Sequence, residues 1–263
     1  MTDAPLNLVV LLFPNVTQLD FTGPAQVFLK FPNARVHLAW HDLDPVRTDA
    51  GWCIVPTTTL EDCPPADVLF VPGGAGTFDL FEDDVALDFL RRQAAGARWI
   101  TSVCTGSFAL AAAGLLSGYQ ATSHWASLEM LTEFGVVPVS RRVVRDRNRI
   151  TGAGVTSGID FAFVLAGELY GDETARRIQL AIEYDPEPPF DHGSPTKADP
   201  ALVAEIMAAT RDLRIEPSAR APRRSAWPAA RPSPYRFFRT SIALCACCTA
   251  SSSRAPVSGR ENK

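Results

Sequence analysis

The chain has 263 residues, of which 46% are hydrophobic and 21% charged, and its mean hydropathy is +0.03. These averages are those of a globular protein, exclude a chain that is disordered throughout, and give enough length for one large α/β domain. The net charge of −4 is unevenly distributed, since residues 217–263 carry eight Arg, one Lys and one Glu, a net +8. Residues 1–216, the body of the chain, therefore carry −12. A body this acidic repels nucleic acid.

We expect the N-terminal residues to carry no targeting or membrane signal. Asp3 stands where a signal peptide carries positive charge, and the apolar run at residues 6–13 is too short to cross a bilayer. The cysteines of the body, Cys53, Cys63 and Cys104, lack the paired spacing of a disulfide framework or a four-ligand zinc site. We therefore expect a cytoplasmic protein without a membrane partner.

Apolar runs alternate with helical stretches through the first part of the chain. Runs rich in Val, Leu and Ile are typical of strands buried on both faces and lie at residues 6–13, 35–40, 67–71 and 98–103. Apolar residues at helical spacing lie at residues 23–31 and 84–97. This alternation predicts a parallel sheet covered by helices.

The second part of the body is mixed. Residues 137–148 predict an antiparallel excursion, and residues 156–170 predict a buried helix closed by Gly171. Asp172 caps a further predicted helix that ends near Tyr184. A Pro-rich segment follows, and then a possible helix at residues 200–213.

The composition changes after this helix, which sets the predicted domain boundary. We expect one α/β domain over residues 1–216 and a tail over residues 217–263 that is rich in Arg, Pro, Ser and Ala. Such a composition buries too little apolar surface to order itself, although its basic charge suits nucleic acid. A non-native reading of the gene is the alternative explanation, and the sequence leaves both open.

Three loops that follow predicted strands carry the candidate site residues. In an open parallel sheet the ligand site lies beyond the carboxyl ends of the strands. Asp20 follows the first strand, the glycine turn that begins at Gly73 follows the third, and Cys104 follows the fourth. A carboxylate, a glycine turn and a thiol are therefore expected in one crevice.

Cys104 has small residues on both sides, as a sharp strand-to-helix turn requires when it presents a nucleophile. A helix that starts just after it aims its N-terminal dipole at the thiol, which can lower a cysteine pKa to about 3.5–7.5. We therefore expect Cys104 to be a thiolate and the reactive cysteine of the body. The alternative is a small buried hydrophobic residue.

The other candidates each have a structural alternative. Asp20 suits acid/base chemistry or a helix cap, and the turn at Gly73, Gly74 and Ala75 suits an oxyanion-type pair of amides or an ordinary tight turn. Thr105 is explained by its position as a helix-start residue. His124 is either a partner for Cys104 or a residue that supports the site.

Two other patterns carry no site. His37 and His41 are four residues apart, which on a strand separates them by about 13 Å and supports no metal site. A run of arginines resembles a nucleic-acid-binding patch and lies at residues 141, 142, 145, 147 and 149. Because Asp146 is interleaved with them, a solvated hairpin face is the better interpretation.

With these residues located, the chain resembles the ThiJ/PfpI superfamily, and within it the isonitrile (isocyanide) hydratase branch. The resemblance covers about residues 6–195 and rests on the segments QLDFTGP at 18–24, VPGG at 71–74, TSVCTG at 101–106, ATSHW at 121–125, GVTSGIDF at 154–161 and EYDPEPPF at 183–190. It implies a class I glutamine-amidotransferase-like (flavodoxin-like) α/β sandwich with a Cys nucleophile elbow.

The resemblance also implies an activity. It assigns Cys104 as nucleophile, Asp20 as acid/base and Thr105 as assisting residue in the hydration of a small-molecule isonitrile to an N-substituted formamide, with no cofactor, in a homodimer. The Thr at position 105 replaces the His of protease-like members, and Asp20 is one methylene shorter than the Glu of glyoxalase or deglycase members. The main rival is the sensor half of AraC-type regulators, although the segment after Leu213 is too short and Pro-rich for a helix-turn-helix domain.

Overall fold

The central sheet sets the position of the three loops. The computed structural model describes residues 5–210, so the predicted tail at 217–263 lies outside the described residues. Seven strands form one sheet in the order β10-β11-β7-β6-β1-β2-β5, in which every neighbouring pair is parallel except β10 and β11. Their bounds are β1 Leu6–Leu11, β2 Ala34–Trp40, β5 Thr58–Thr59, β6 Val68–Val71, β7 Trp99–Val103, β10 Val143–Asp146 and β11 Arg149–Gly152.

Short strands and helices complete the domain. Two small sheets pair β3 (Val46–Arg47) with β4 (Cys53–Ile54) and β8 (Gln120–Ala121) with β9 (Val137–Pro138). The helices are α1 Gln18–Phe28, α2 Asp84–Gly96, α3 Gly106–Ala112, α4 Ser157–Tyr170, α5 Asp172–Ala181 and α6 Pro200–Ala209. Two 3-10 helices cover Ala75–Glu82 and Leu128–Phe134.

Each face of the sheet is covered by its own apolar layer, because alternate strand residues point to opposite sides. One layer joins the strands to α2, α3 and the 3-10 helices, and the other joins them to α1, α4 and α5. The first layer uses Val9, Leu11, Leu69 and Val71, and the second uses Leu8, Val10, Val68 and Phe70. The predicted α/β sandwich with a mainly parallel sheet is confirmed.

Helices α1 and α4 lie close together beside the site end of the sheet. A Cβ at Gly158, in the first turn of α4, would lie 3.1 Å from the Pro24 ring of α1. Glycine therefore lets the start of α4 approach the helix that carries Asp20.

Several element boundaries differ from those expected. Helix α1 begins at Gln18 and contains Pro24, whereas the sequence pattern placed its start near Gly23. The antiparallel excursion is a hairpin of β10 and β11 that turns at Arg147, and β9 pairs separately with β8. Strand β11 was not expected as a sheet strand, since its four residues include only one large apolar side chain, that of Ile150. The last helix ends at Ala209 among the described residues.

Candidate active site

Cys104 occupies a sharp turn between a buried strand and a helix. Strand β7 ends at Val103, helix α3 begins at Gly106, and Cys104 has φ +56°. A left-handed conformation at a non-glycine residue costs about 1–3 kcal/mol and persists only where its surroundings hold it. The side chain is buried, with 6% of the residue exposed.

Hydrogen bonds on both sides hold this turn. The Cys104 amide donates to the carbonyl oxygens of Gly152 (3.1 Å) and Ala153 (2.7 Å). Its own carbonyl oxygen accepts from the hydroxyl groups of Ser107 (3.1 Å) and Ser123 (2.9 Å). Sequence reasoning missed both serines. Ser107 could have been found from its position one turn after Cys104, whereas Ser123 reaches the turn only through the fold.

Asp20 lies in the first turn of α1 and points into the protein. It is fully buried, and its Oδ2 accepts the Gly73 N–H at 3.1 Å. Its Oδ1 accepts no hydrogen bond of ordinary geometry from residues 5–210. The first N–H of α1, that of Gln18, is instead bound by Asp49 Oδ1 at 3.0 Å. The cap interpretation of Asp20 is therefore wrong, since Asp49 performs that function.

Asp20 and Cys104 interact, and each changes the ionisation of the other. Burial raises the pKa of Asp20 to about 7, against smaller lowering effects of the Cys104 thiol and the Gly73 amide, and the negative charge of Asp49 adds to the increase. Burial also raises the pKa of Cys104 well above its usual value, and the negative charge of Asp20 raises it further. The resting pair therefore favours a thiol beside a carboxyl group that titrates near neutrality.

The expectation of a thiolate at Cys104 is wrong in direction. The Thr105 amide, the kind of helix-start donor that favours a thiolate, does lower the thiol pKa, as does the Thr105 hydroxyl. Desolvation and the neighbouring carboxylate outweigh these effects, because the turn is buried and Asp20 lies against it.

The glycine turn after β6 brings these residues together. A Cβ at Gly73 would lie 2.7 Å from Asp20 Oδ2, 2.7 Å from the Thr105 nitrogen and 2.8 Å from Cys104 Cβ. Because no side chain fits there, Gly73 allows the carboxyl group, the thiol and the start of α3 to meet.

Thr105 links the glycine turn to the helix start. Its Oγ1 accepts the Gly74 N–H at 2.9 Å and donates to the Gly74 carbonyl oxygen at 3.1 Å, and Thr77 Oγ1 lies 3.3 Å from it. The Gly74 amide is thus already engaged, and Ala75 is exposed at the start of a 3-10 helix. Ala75 is the better placed of the two for an oxyanion role.

His124 lies beside the loop that holds Cys104. A Cβ at Gly154 would be 3.0 Å from the His124 ring, and Gly154 follows the carbonyl group that binds the Cys104 amide. The His124 Nδ1 accepts the Ala126 N–H at 3.3 Å. This position favours a supporting role over direct proton transfer with the thiol.

The remaining patterns have structural partners. His37 binds Asn7 and His41 binds Asp83, and no group of three or more metal-ligating side chains occurs within residues 5–210. Four of the five arginines bind within the chain, as a structural face does: Arg142 to Asp160, Arg145 to Glu168, Arg147 to Asp146, and Arg149 to Leu115 and Asn148. No helix in the described part of the chain is long and apolar enough to cross a bilayer.

Comparison with known proteins places this geometry in a family. Residues 7–168 match the DJ-1/PfpI family. The chain belongs to the DJ-1/PfpI family. Among solved structures it resembles a ThiJ/PfpI family protein from Pseudomonas syringae, with a TM-score of 0.81 and 43% identity over 83% of this chain and 91% of that one. It also resembles Drosophila melanogaster DJ-1beta, with a TM-score of 0.62 and 27% identity over 68% and 98% of the two chains.

Two curated relatives bear on function. The chain is 54% identical to isonitrile hydratase of Pseudomonas putida over 219 residues, which span 82% of this chain and 96% of that enzyme. It is 33% identical to the HTH-type transcriptional regulator GbdR of Pseudomonas aeruginosa over 69% of this chain, but over only 51% of the regulator. This DJ-1/PfpI member thus matches nearly the full length of the first relative and half of the second.

Proposed function

We propose that this protein is an enzyme that hydrates isonitriles to N-substituted formamides, with Cys104 as nucleophile and Asp20 as acid/base. The observation that carries the proposal is the buried contact of the Cys104 thiol with a carboxyl group whose pKa is raised to about 7. A proton donor at neutral pH beside a nucleophile is what an isonitrile requires. The near full-length similarity to an isonitrile hydratase supports this substrate class.

The first step joins the isonitrile to Cys104. The terminal carbon of R–N≡C carries a lone pair, so protonation by Asp20 at that carbon makes it electrophilic. The thiol then gives its proton to the Asp20 carboxylate as sulfur forms the C–S bond. The product is the thioimidate R–N=CH–S–Cys104, and Asp20 is protonated again. The raised pKa of the thiol suits this order, because the sulfur becomes a thiolate only as it reacts.

The second step releases the product. The thioimidate nitrogen takes up the Asp20 proton, and water then adds to the carbon while the Asp20 carboxylate accepts a proton from it. The C–S bond then breaks as the added hydroxyl group becomes the carbonyl and gives up its proton to the sulfur, and the carbon leaves as R–NH–CHO. Hydrogen bonding at Ala75 and support from Thr105 would stabilise the negative charge that develops during this step. Substrate and water supply every atom of the product, so the scheme calls on no cofactor.

The same proposal includes the reaction class and the state of the protein. We assign the enzyme to the hydro-lyases and propose a homodimer, as the family resemblance implies. The spacing of the body cysteines and the N-terminal residues favour the cytoplasm as its location. Size-exclusion chromatography with light scattering tests the dimer, since a monomer at micromolar concentration would contradict it.

A direct assay tests the activity. Purified protein should convert an aromatic isonitrile to its formamide, followed by ultraviolet absorption and confirmed by mass spectrometry, and Cys104→Ala should be inactive. The same preparation should leave methylglyoxal unchanged. Consumption of methylglyoxal without isonitrile turnover would favour the glyoxalase alternative, and tight binding of isonitriles without conversion would favour a ligand sensor.

A further inference from the structure

One feature at the site end of α4 takes no part in the scheme above: a group of polar side chains around Arg142. Arg142 Nε pairs with Asp160 Oδ2, and Arg142 Nη2 donates to Thr156 Oγ1 at 3.3 Å. The other oxygen of Asp160 accepts the Tyr184 hydroxyl at 2.8 Å. Tyr184 begins the Pro-rich segment after α5, so this group ties a strand end, a helix start and that segment together.

The backbone of Arg142 connects this group to the nucleophile. The carbonyl oxygen of Arg142 accepts the Ala153 N–H at 2.9 Å, and the Ala153 carbonyl oxygen accepts the Cys104 N–H at 2.7 Å. Ala153 and Thr156 are the first and last residues of the loop between β11 and α4. Arg142 therefore holds both ends of the loop, the first through its main chain and the last through its side chain.

We propose that Arg142, Asp160 and Tyr184 form a clamp that positions the loop of residues 153–156, and through it the strained turn at Cys104. They are positioning residues, since none of them touches the thiol or Asp20 in the contacts described above. The inference rests on the proposed role of Cys104 as nucleophile. It also gives the Tyr of the EYDPEPPF segment a function, because its hydroxyl fixes the orientation of the Asp160 carboxylate that binds Arg142.

The chain supplies a matched control for the clamp. Arg145 pairs with Glu168 at 2.9 Å and, like Arg142, joins the β10 region to α4. Both arginine side chains are 52% exposed, and their acidic partners are 29% and 26% exposed. Glu168 lies near the far end of α4, whereas Asp160 lies in its first turn. The Arg145 pair therefore lies at the other end of α4 from the loop that holds Cys104, and Arg145 packs over the Trp99 ring where Arg142 binds Thr156.

The test compares Arg142→Gln with Arg145→Gln. Misplacement of a reacting group by about 1 Å can cost about a hundredfold in rate, so we expect Arg142→Gln to lower kcat for an isonitrile at least about tenfold with KM within about twofold. Arg145→Gln should stay within about twofold of wild type in both constants. The melting temperatures of the two variants should agree within about 3 °C, because both lose a half-exposed ion pair.

A second readout does not depend on isonitriles. A loosened loop exposes Cys104, so its alkylation by iodoacetamide at fixed pH should accelerate at least about threefold in Arg142→Gln and not in Arg145→Gln. Peptide mass spectrometry reports Cys104 separately, and unchanged labelling of half-buried Cys63 excludes general unfolding. If the wild type turns over no isonitrile, the proposed function fails while this comparison still decides the clamp.

Tyr184→Phe keeps the test decisive if Arg142→Gln folds poorly. It removes only the hydroxyl and keeps the ring contact with Phe163. We expect the same direction of change, with kcat lowered about threefold and Cys104 alkylation accelerated, because one hydrogen bond of the clamp is lost. Arg142→Lys, which keeps the charge, should restore part of the rate lost in Arg142→Gln. Equal behaviour of Arg142→Gln and Arg145→Gln in turnover and alkylation, or an unchanged Tyr184→Phe, would overturn the clamp.

Discussion

At the scale of single residues, the substitution Asp20→Asn distinguishes a structural role of Asp20 from a chemical one. Asp20→Asn keeps a side-chain oxygen that can accept the Gly73 N–H, and the α1 cap belongs to Asp49. An amide neither delivers a proton to the isonitrile nor takes one from water. We expect isonitrile turnover to fall at least about a hundredfold with the fold preserved, measured as kcat at saturating substrate and by melting temperature.

Asp20→Glu is the control for this substitution. It retains the acid but displaces it by about 1.5 Å, so it should recover only part of the activity. An Asn variant within about threefold of wild type would remove Asp20 from the acid/base role and direct attention to His124.

The cysteines give a second prediction at the same scale. Cys53 is exposed, Cys63 is half-buried with a thiol pKa raised by burial to about 11, and Cys104 is buried with a raised pKa. Limiting iodoacetamide should therefore label Cys53 before Cys63 and Cys104 in the resting protein, contrary to the reactivity that the sequence pattern favoured for Cys104. Quantitative peptide mass spectrometry measures the order. Faster labelling of Cys104 would show that the site ionises the thiol despite its burial.

The sequence located the site better than it described its electrostatics. The strand-end rule placed Asp20, Gly73 and Cys104 at one edge, because strand positions follow from the local apolar pattern. The ionisation of Cys104 depends on its burial and on Asp20, which is distant in the chain and becomes a neighbour only in the fold. The local sequence predicts that a helix starts beside Cys104, but it does not predict how deeply the thiol is buried.

At the scale of elements, Asp49 both caps the start of α1 and raises the pKa of Asp20. Sequence reasoning began this helix near Gly23, because the cap that extends it to Gln18 comes from Asp49, on a different segment. Helix α4 was predicted almost to the residue, since its apolar spacing and the closing Gly171, with φ +86°, are both local signals. Contacts from distant segments, such as the Asp49 cap, are what the local pattern omits.

Asp49→Asn tests this link. Asn accepts the Gln18 N–H as Asp does, so the helix start should be preserved. The lost negative charge lowers the pKa of Asp20 from its value of about 7. Turnover that requires protonated Asp20 declines as pH rises through this pKa, so the descending limb of kcat/KM against pH should move to lower pH.

The salt dependence supplies the control for Asp49→Asn. Asp49 is exposed, so its effect on Asp20 is screened, and the two pH profiles should converge in 1 M salt, where the Debye length is about 3 Å. A limb that moves to higher pH, or a shift unaffected by salt, would contradict an electrostatic role of Asp49. Asp49→Ala should show the same shift together with a loss of stability of about 1 kcal/mol, because it also lacks the cap.

At the scale of the whole molecule, the question is whether the catalytic unit needs the basic tail. Every residue assigned to the site lies between Asp20 and Tyr184, within the described residues. The alignment with the Pseudomonas putida enzyme covers 96% of that enzyme but only 82% of this chain. The Pseudomonas putida enzyme is therefore the shorter of the two proteins. We therefore propose that the site is complete without residues 217–263.

Deleting residues 217–263 should leave both folding and turnover unchanged. The segment has few acidic residues and lacks the pattern of a core-forming element, so its removal costs no packing that the sequence predicts. The melting temperature should stay within about 3 °C and kcat within about twofold of the full chain. A larger fall in either would make the segment part of the folded enzyme. The net charge of +8 in the deleted segment suits the competing hypothesis, a nucleic-acid-binding tail. In that case the full chain would bind DNA and the truncated chain would not, and the binding would weaken steeply with salt.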